Sequence, residues 1–440
     1  MLSSISWLDF SDSDRRKMIE VVQLFREQDT RDELGVASIR DTLAELLFPG
    51  TGTLQSRARY FLFVPWHSLR LERKKHGGGK ARDRLRVEEI SVINALIQRG
   101  ETGIIGQRSG ASLHRFPSSI YWNGLKVWGI LRFSGSPGQY FQSLGYYYQS
   151  QRAYRLMDKD NPILENPPYN WDPDIPKAPK DFPGDVDLTL SFDEASYLKE
   201  RLQISCPRSL LAYLVRDTEP IEGIKFPWHH PGMQTFPKHL QEMLLESQNF
   251  SETFWGAALL YNYLLAMKAG MDEMLDEYQE QLARWQEIMI ARGEQLYTWD
   301  IDTFWKRITG AGNIPLSTQR FVNRWLELVI NQHGIPDLVS KTTAHEIIQT
   351  REFQLKRGRS RFENPRRLEM WGGRSGAGQL NFRPAPDLPP HISNLRGRSR
   401  FENPRRLEMW GGRSGAGQLN FRWPVSNQIA NDILNGLEQG

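Results

Sequence analysis

Residues 251–291 read SETFWGAALLYNYLLAMKAGMDEMLDEYQEQLARWQEIMIA, and their pattern decides the fold class. From Phe254 to Met267 nearly every residue is apolar, as in a helix buried on all sides. From Met271 on, Met274, Leu275, Tyr278, Leu282 and Trp285 repeat with the period of an amphipathic helix. The apolar half is interrupted by Asn262 and falls short of the roughly 20 residues that a bilayer span needs. It predicts core helix, as one long element or two, and no membrane association.

The same period recurs on both sides. On the N-terminal side, a helix is expected over 11–28, capped by Ser11, with Met18, Val22 and Phe25 on one face. A second starts near Ser38 with Ile39, Leu43, Leu46 and Leu47, and Pro49-Gly50 ends it. The apolar run Tyr60 to Val64 fits a helix end or a buried strand equally well. Residues 69–86 hold eight Lys/Arg and two acids around Gly77-Gly78-Gly79, which predicts an exposed loop before a helix over 87–98. This order of helices is compatible with a winged-helix domain. Further along, Phe192 opens a helix, and others are expected around Phe304, over 321–330 and over 343–356. Thr343 and Glu346 match a capping box.

The fold class is therefore mainly α, with at most minor β. Prolines at 162, 167, 168, 173, 176, 179 and 183 forbid long helices and suggest a linker. The expected organisation is an N-terminal domain over 1–156, a Pro-rich linker over 157–186, a helical domain over 187–356 and a basic C-terminal region over 357–440.

That last region contains a tandem duplication. Residues 357–383 and 396–422 are identical, with a period of 39. Each copy carries seven Arg and two Glu, a net of +5. The pair thus puts +10 on a chain whose total is +4, leaving −6 for the rest. Two perfect copies fit a recent duplication better than a stacked repeat array, which needs about three units. Within a copy, Asn364 is a good N-cap, Pro365 suits the first helical position, and Leu368 and Trp371 share a face.

Composition narrows the function classes. One cysteine, Cys206, rules out an internal disulfide framework. The N-terminus lacks a basic stretch followed by a long apolar core, so no secretory signal is expected and the location is taken as cytoplasmic. No cofactor and no metal site are expected. His229, His230 and His239 sit among prolines, and His345-Glu346 lacks the second histidine of a zinc motif. Gly372 to Gly378 lacks the Lys-Ser/Thr of a phosphate-binding loop and reads as a turn.

The basic runs are the stronger functional feature, since cations that neutralise phosphates need no special spacing. The candidates for phosphate contacts are Arg57, Arg59, Lys74, Lys75, Lys80 and Arg82. The repeat adds Arg359, Arg361, Arg366 and Arg367, with Arg398, Arg400, Arg405 and Arg406 in the second copy. Phe362, Trp371 and Phe382 are interleaved with them and could stack on bases. Equally, the repeat arginines could pair with carboxylates of the chain itself.

Three further stretches are distinctive: Leu47 to Trp66 (LFPGTGTLQSRARYFLFVPW), Pro117 to Trp122 (PSSIYW) and Gly417 to Pro424 (GQLNFRWP). Together they resemble a bacterial family, domain of unknown function 6361, over nearly the whole chain. The resemblance implies neighbourhoods with helicase and phospholipase-D-like genes in anti-phage islands, hence a role in antiviral defence. It carries over no catalytic residues. The second repeat copy runs on into Trp423-Pro424 as the family pattern does, so either the first copy is the insertion or the join lies inside the repeat.

The expectation is a nucleic-acid-associated, non-catalytic component of an anti-phage defence system. DNA is favoured over RNA, with helicase or nuclease proteins as candidate partners. One alternative is an interaction subunit docking an acidic protein through its basic tail. Another is a metal-dependent nuclease using Asp300, Asp302 and Lys306, or Glu72 and Lys74.

Overall fold

A computed structural model describes residues 32–110, 113–157, 169–330, 334–372 and 415–440. The expected helix over 11–28 and most of the second repeat copy lie outside them. Sixteen α-helices and no strand occur among the described residues, so the mainly-α class holds. In chain order they are α1 (Ala37–Leu47), α2 (Tyr60–Arg73), α3 (Gly78–Gln98), α4 (Pro117–Ile120), α5 (Trp122–Val127), α6 (Pro137–Met157), α7 (Phe192–Ser205) and α8 (Leu210–Asp217). There follow α9 (Lys238–Ala269), α10 (Asp272–Ala291), α11 (Gly293–Tyr297), α12 (Ile301–Ala311), α13 (Leu316–Val329), α14 (Thr342–Lys356), α15 (Pro365–Trp371) and α16 (Trp423–Leu437). The stretch 251–291 is two helices, α9 and α10, separated at Gly270 with φ +62.

Contacts divide the chain into two compact units, each discontinuous in sequence. One comprises residues 1–40 and 245–419, the other 41–244 and 420–440. This differs from the chain-order domains expected above. The described part of the Pro-rich stretch lies within the second unit and contributes buried Trp171, Phe182 and Val186. Prolines forbid helix but not packing. Phe182 packs against Phe63, Trp66 and His67, and the Pro176 carbonyl accepts a 2.7 Å hydrogen bond from Trp66 Nε1.

In the 41–244/420–440 unit, α2 is the central element. Every residue from Tyr60 to Ser68 is buried, so the ambiguous apolar run is a helix wrapped on all sides. It packs on α3 and α4, α3 packs on α6, and α16 packs on α7 and α8. The three family-like stretches meet in this core. Tyr121 Oη accepts from the Ser56 amide and donates to the Arg57 carbonyl, both at 2.9 Å. Trp128 donates to the Pro49 carbonyl and stacks on Phe61 at 3.8 Å. Arg422 reaches Glu45 and the Thr51 carbonyl, and Trp423 packs on Phe48. Gly50 must be glycine twice over: its φ is +75, and a Cβ there would lie 2.9 Å from Trp128 Nε1; Gly124 is held to glycine in turn, since its Cβ would lie 2.4 Å from the Gly50 carbonyl oxygen. These residues that carry the resemblance are architectural.

In the 1–40/245–419 unit, the indoles of Trp285 and Trp325 donate to the Glu252 and Thr253 carbonyls of α9. A Cβ at Gly256 would stand 2.4 Å from the Trp285 ring, which explains the glycine in a buried helix. Buried Arg351 of α14 binds the Leu34, Gly35 and Ser317 carbonyls and the Thr318 hydroxyl. The Thr343/Glu346 capping box does not form. Helix α14 begins at Thr342 with Lys341 as its cap residue and no side-chain bond, which leaves Thr343 inside the helix. A capping box does form at Ser191 and Glu194, at the start of α7.

Both halves of the repeat dock on α9, but from different copies. From the first copy, Asn364 caps α15 through Arg367 N, and Trp371 donates to Asn262 Oδ1 at 3.2 Å. From the second copy, the Leu419 carbonyl accepts from Ser251 Oγ at 2.7 Å and the Ala416 carbonyl from Trp255 Nε1 at 3.2 Å. Residues 415–422 spell the same letters as 376–383. The described parts are thus repeat positions 1–16 and 20–27.

Candidate nucleic-acid interface

The turn between α2 and α3 gathers five exposed cations. Helix α2 closes with a Schellman motif: His76 N bonds the Leu71 carbonyl and Lys75 N the Glu72 carbonyl. The residue in the left-handed position is Lys75, with φ 54, where glycine is the usual occupant. The same motif closes α3 with Gly100, φ +72. Helix α3 then starts at once, so the expected Gly-rich loop is in fact a cap and a first turn. Gly77 sits at the N-cap without a side-chain bond. The N-terminal end of a 21-residue helix, with its positive partial charge, therefore adjoins the basic residues.

Arg73, Lys74, Lys75, Lys80 and Arg82 are all exposed, and none forms an ion pair among the described residues. Helix α6 flanks this turn. Tyr148 Oη donates to the His76 carbonyl at 2.9 Å, and a Cβ at Gly138 would lie 3.8 Å from Arg82 Nη2. Next to the cations, Glu72 turns inward and accepts from Tyr140 Oη at 2.7 Å and Asn170 Nδ2 at 2.9 Å. Burial raises its carboxyl above the usual range, although the hydrogen bonds pull the other way. Burial likewise pushes the Tyr148 phenol up to about 12, and the nearby Glu72 adds to that. Tyr147 and Tyr148 are half-buried with rings 5.8 Å apart, and Tyr169 is exposed. The Tyr146-Tyr147-Tyr148 run was the sequence feature that could have pointed to these rings.

The other candidates sit elsewhere. Arg57 forms an ion pair at 2.9 Å with Asp432 of α16, whose carboxylate also takes the Ala58 amide. Arg59 is buried between Asp187 and Glu194. The charges of both are engaged by the chain's own carboxylates. Arg361 joins Glu33 and Tyr261 Oη, whereas Arg359, Arg366 and Arg367 are exposed. Arg398, Arg400, Arg405 and Arg406 lie outside the described residues. The structure therefore does not bring the α2–α3 cations together with Arg57 and Arg59.

Two of the nuclease candidates, Asp300 and Glu72, have structural roles. Asp300 caps α12, accepting from the Thr303 amide and hydroxyl, which hold its carboxyl below the usual range. Glu72 is bound as above. No group of three His, Cys, Asp or Glu side chains among the described residues is placed to hold a metal. His230 Nδ1 accepts from the Gly232 amide, and His239 and His345 each lie near a backbone carbonyl. Half-buried Cys206 follows α7, its thiol pushed up to about 11 by burial. A cavity of about 40 Å³ beside Glu33, Tyr261 and Gly417 holds water at most. No helix among the described residues is long and apolar enough to cross a membrane.

No curated protein and no solved structure matches this chain. A family model does, over residues 2–386, and its description is a family of unknown function. The match takes in the first repeat copy and most of both compact units. The chain belongs to that family, DUF6361.

Proposed function

We propose that this protein is a nucleic-acid-associated, non-catalytic component of a bacterial anti-phage defence system, with the α2–α3 turn as its phosphate-binding surface. The observation that carries this reading is the set of five exposed cations, Arg73, Lys74, Lys75, Lys80 and Arg82, without carboxylate partners among the described residues, beside a helix N-terminus. A merely solvated face tends to intersperse both signs; here the only exposed acid between Arg73 and Arg86 is Asp83. The defence setting rests on the family resemblance, and a helicase or nuclease partner belongs to the same proposal.

Fluorescence anisotropy with labelled DNA and RNA, titrated with KCl, tests the reading. Affinity should fall steeply with salt. Replacing Lys74, Lys75, Lys80 and Arg82 together by Ala should flatten the log–log salt slope by about 3, at roughly 0.7–0.9 per phosphate contact. Absence of binding at the lowest salt sinks it. The acidic-partner alternative now rests on exposed Arg359, Arg366 and Arg367. Deleting 357–440 is no clean test of it, because Trp371, Phe421 and Trp423 are core residues. Arg366→Glu with Arg367→Glu is the cleaner probe. Loss of a co-purifying partner with unchanged nucleic-acid binding would favour that alternative.

A further inference from the structure

The cations of the α2–α3 turn do not stand alone. Tyr148 is tied to the turn through the His76 carbonyl, and Tyr147 lies beside it with ring centroids 5.8 Å apart and planes at 58°. Asn170, next in sequence to Tyr169, donates to Glu72 at 2.9 Å, which brings the 169–170 segment to the same turn, and Tyr147 and Tyr148 lie within electrostatic reach of Glu72. Glu72 is itself the residue before Arg73 and Lys74. Tyr169 is 43% exposed, and the other two rings are half-buried. Aromatic rings at the edge of a cationic surface offer π-faces to bases. In a duplex those faces are already stacked on neighbouring base pairs, and a side chain beside the phosphates cannot reach them. Unpaired bases can swing out and stack. Duplex binding would need only the cations and would make no use of the ring faces.

We propose that the nucleic acid taken by this site is single-stranded, with bases stacked on Tyr147, Tyr148 and Tyr169 and phosphates held by Arg73, Lys74, Lys75, Lys80 and Arg82. This rests on the nucleic-acid reading above. Phosphate repulsion by Glu72 is blunted because its carboxyl is turned into the core and hydrogen-bonded by Tyr140 and Asn170.

The test uses the full chain with four probes: a 20-nucleotide oligo(dT), a 20-nucleotide oligo(U), a mixed-sequence DNA duplex of 20 base pairs and the same duplex in RNA. The single strands are expected to bind at least on the order of tenfold more tightly than the duplexes. Tyr169→Ala should weaken single-strand binding on the order of tenfold without changing the salt slope, because it removes stacking and no phosphate contact. Tyr169→Trp should restore it. Tyr147→Ala should behave alike, but its ring is half-buried, so Tyr169, whose ring is exposed, is the decisive position. Duplexes bound as tightly as single strands, or a folded Tyr169→Ala protein with unchanged single-strand affinity, would overturn the inference while leaving the nucleic-acid reading intact. No binding to any probe at low salt would overturn both.

Discussion

Lys75 holds a left-handed backbone where its counterpart at the end of α3 is Gly100. A non-glycine residue there costs about 1 kcal/mol or more, so the lysine is retained at a cost in stability. Lys75→Gly should therefore raise the melting temperature by a few degrees while flattening the nucleic-acid salt slope by about one contact. Thermal scans and anisotropy on the same sample check both; a rise in stability with unchanged binding would remove Lys75 from the interface. Glu89 supplies a pH-dependent counterpart. Its carboxyl accepts from the Ser118 amide and hydroxyl, yet burial pushes it up to about 7. Its folded value lies above the unfolded 4.5, so its contribution to stability is complete below pH 4.5 and is lost as pH rises through 7. In Glu89→Gln that loss disappears. The melting temperature of the variant relative to the native chain should rise between pH 4.5 and 7.5. Neither feature was legible in the sequence, because a left-handed lysine and a buried glutamate look like any other charged residue in a charge run.

At the scale of the element, local chemistry was partly legible. Asn364 and Pro365 open α15 as their types require, and the apolar stripe of α1 is buried at Ile39, Leu43 and Leu47. The failures have local causes too. A Thr-x-x-Glu pattern occurs at 343–346 and a Ser-x-x-Glu pattern at 191–194, and only the second is a cap. The pattern does not record where the helix begins, and α14 starts one residue before Thr343. Gly77 to Gly79 suggested a loop, yet glycine at an N-cap is well tolerated. Ser191→Ala should cost about 1 kcal/mol, seen as a lowered melting temperature, whereas Thr343→Ala should cost little. Equal effects would show that the cap assignment at α7 is mistaken.

At the scale of the whole molecule, the duplication resolves into one docked repeat assembled from two copies. Trp255 and Asn262 are seven residues apart on α9, about 10 Å along its axis. In a single copy, Gly373-Arg374-Ser375 would join the two docked parts, a span of up to about 13 Å. Deleting residues 376–414, one full period, should therefore leave the melting temperature unchanged. A lowered melting temperature would show that the surplus is structural. Arg357 follows α14 directly, so the first copy fills the Asn262 site. Trp371→Ala should cost about 3–5 kcal/mol, read as a lowered melting temperature. If that cost appears only when Trp410 is changed as well, the two copies exchange at the site.

The sequence by itself determined the helical class, the family and several helix starts, because periodicity, glycine, proline and capping residues act within a few positions of one another. It also displayed the identity of the two repeat copies. Only the tertiary structure decided which arginines remain available to a partner. Arg57 meets Asp432 across 375 positions, and Arg59 meets Glu194 across 135. Phe182 of the Pro-rich stretch is core for the same reason, packed on α2. An ion pair or a buried ring depends on proximity in space, and spacing along the chain carries no record of it.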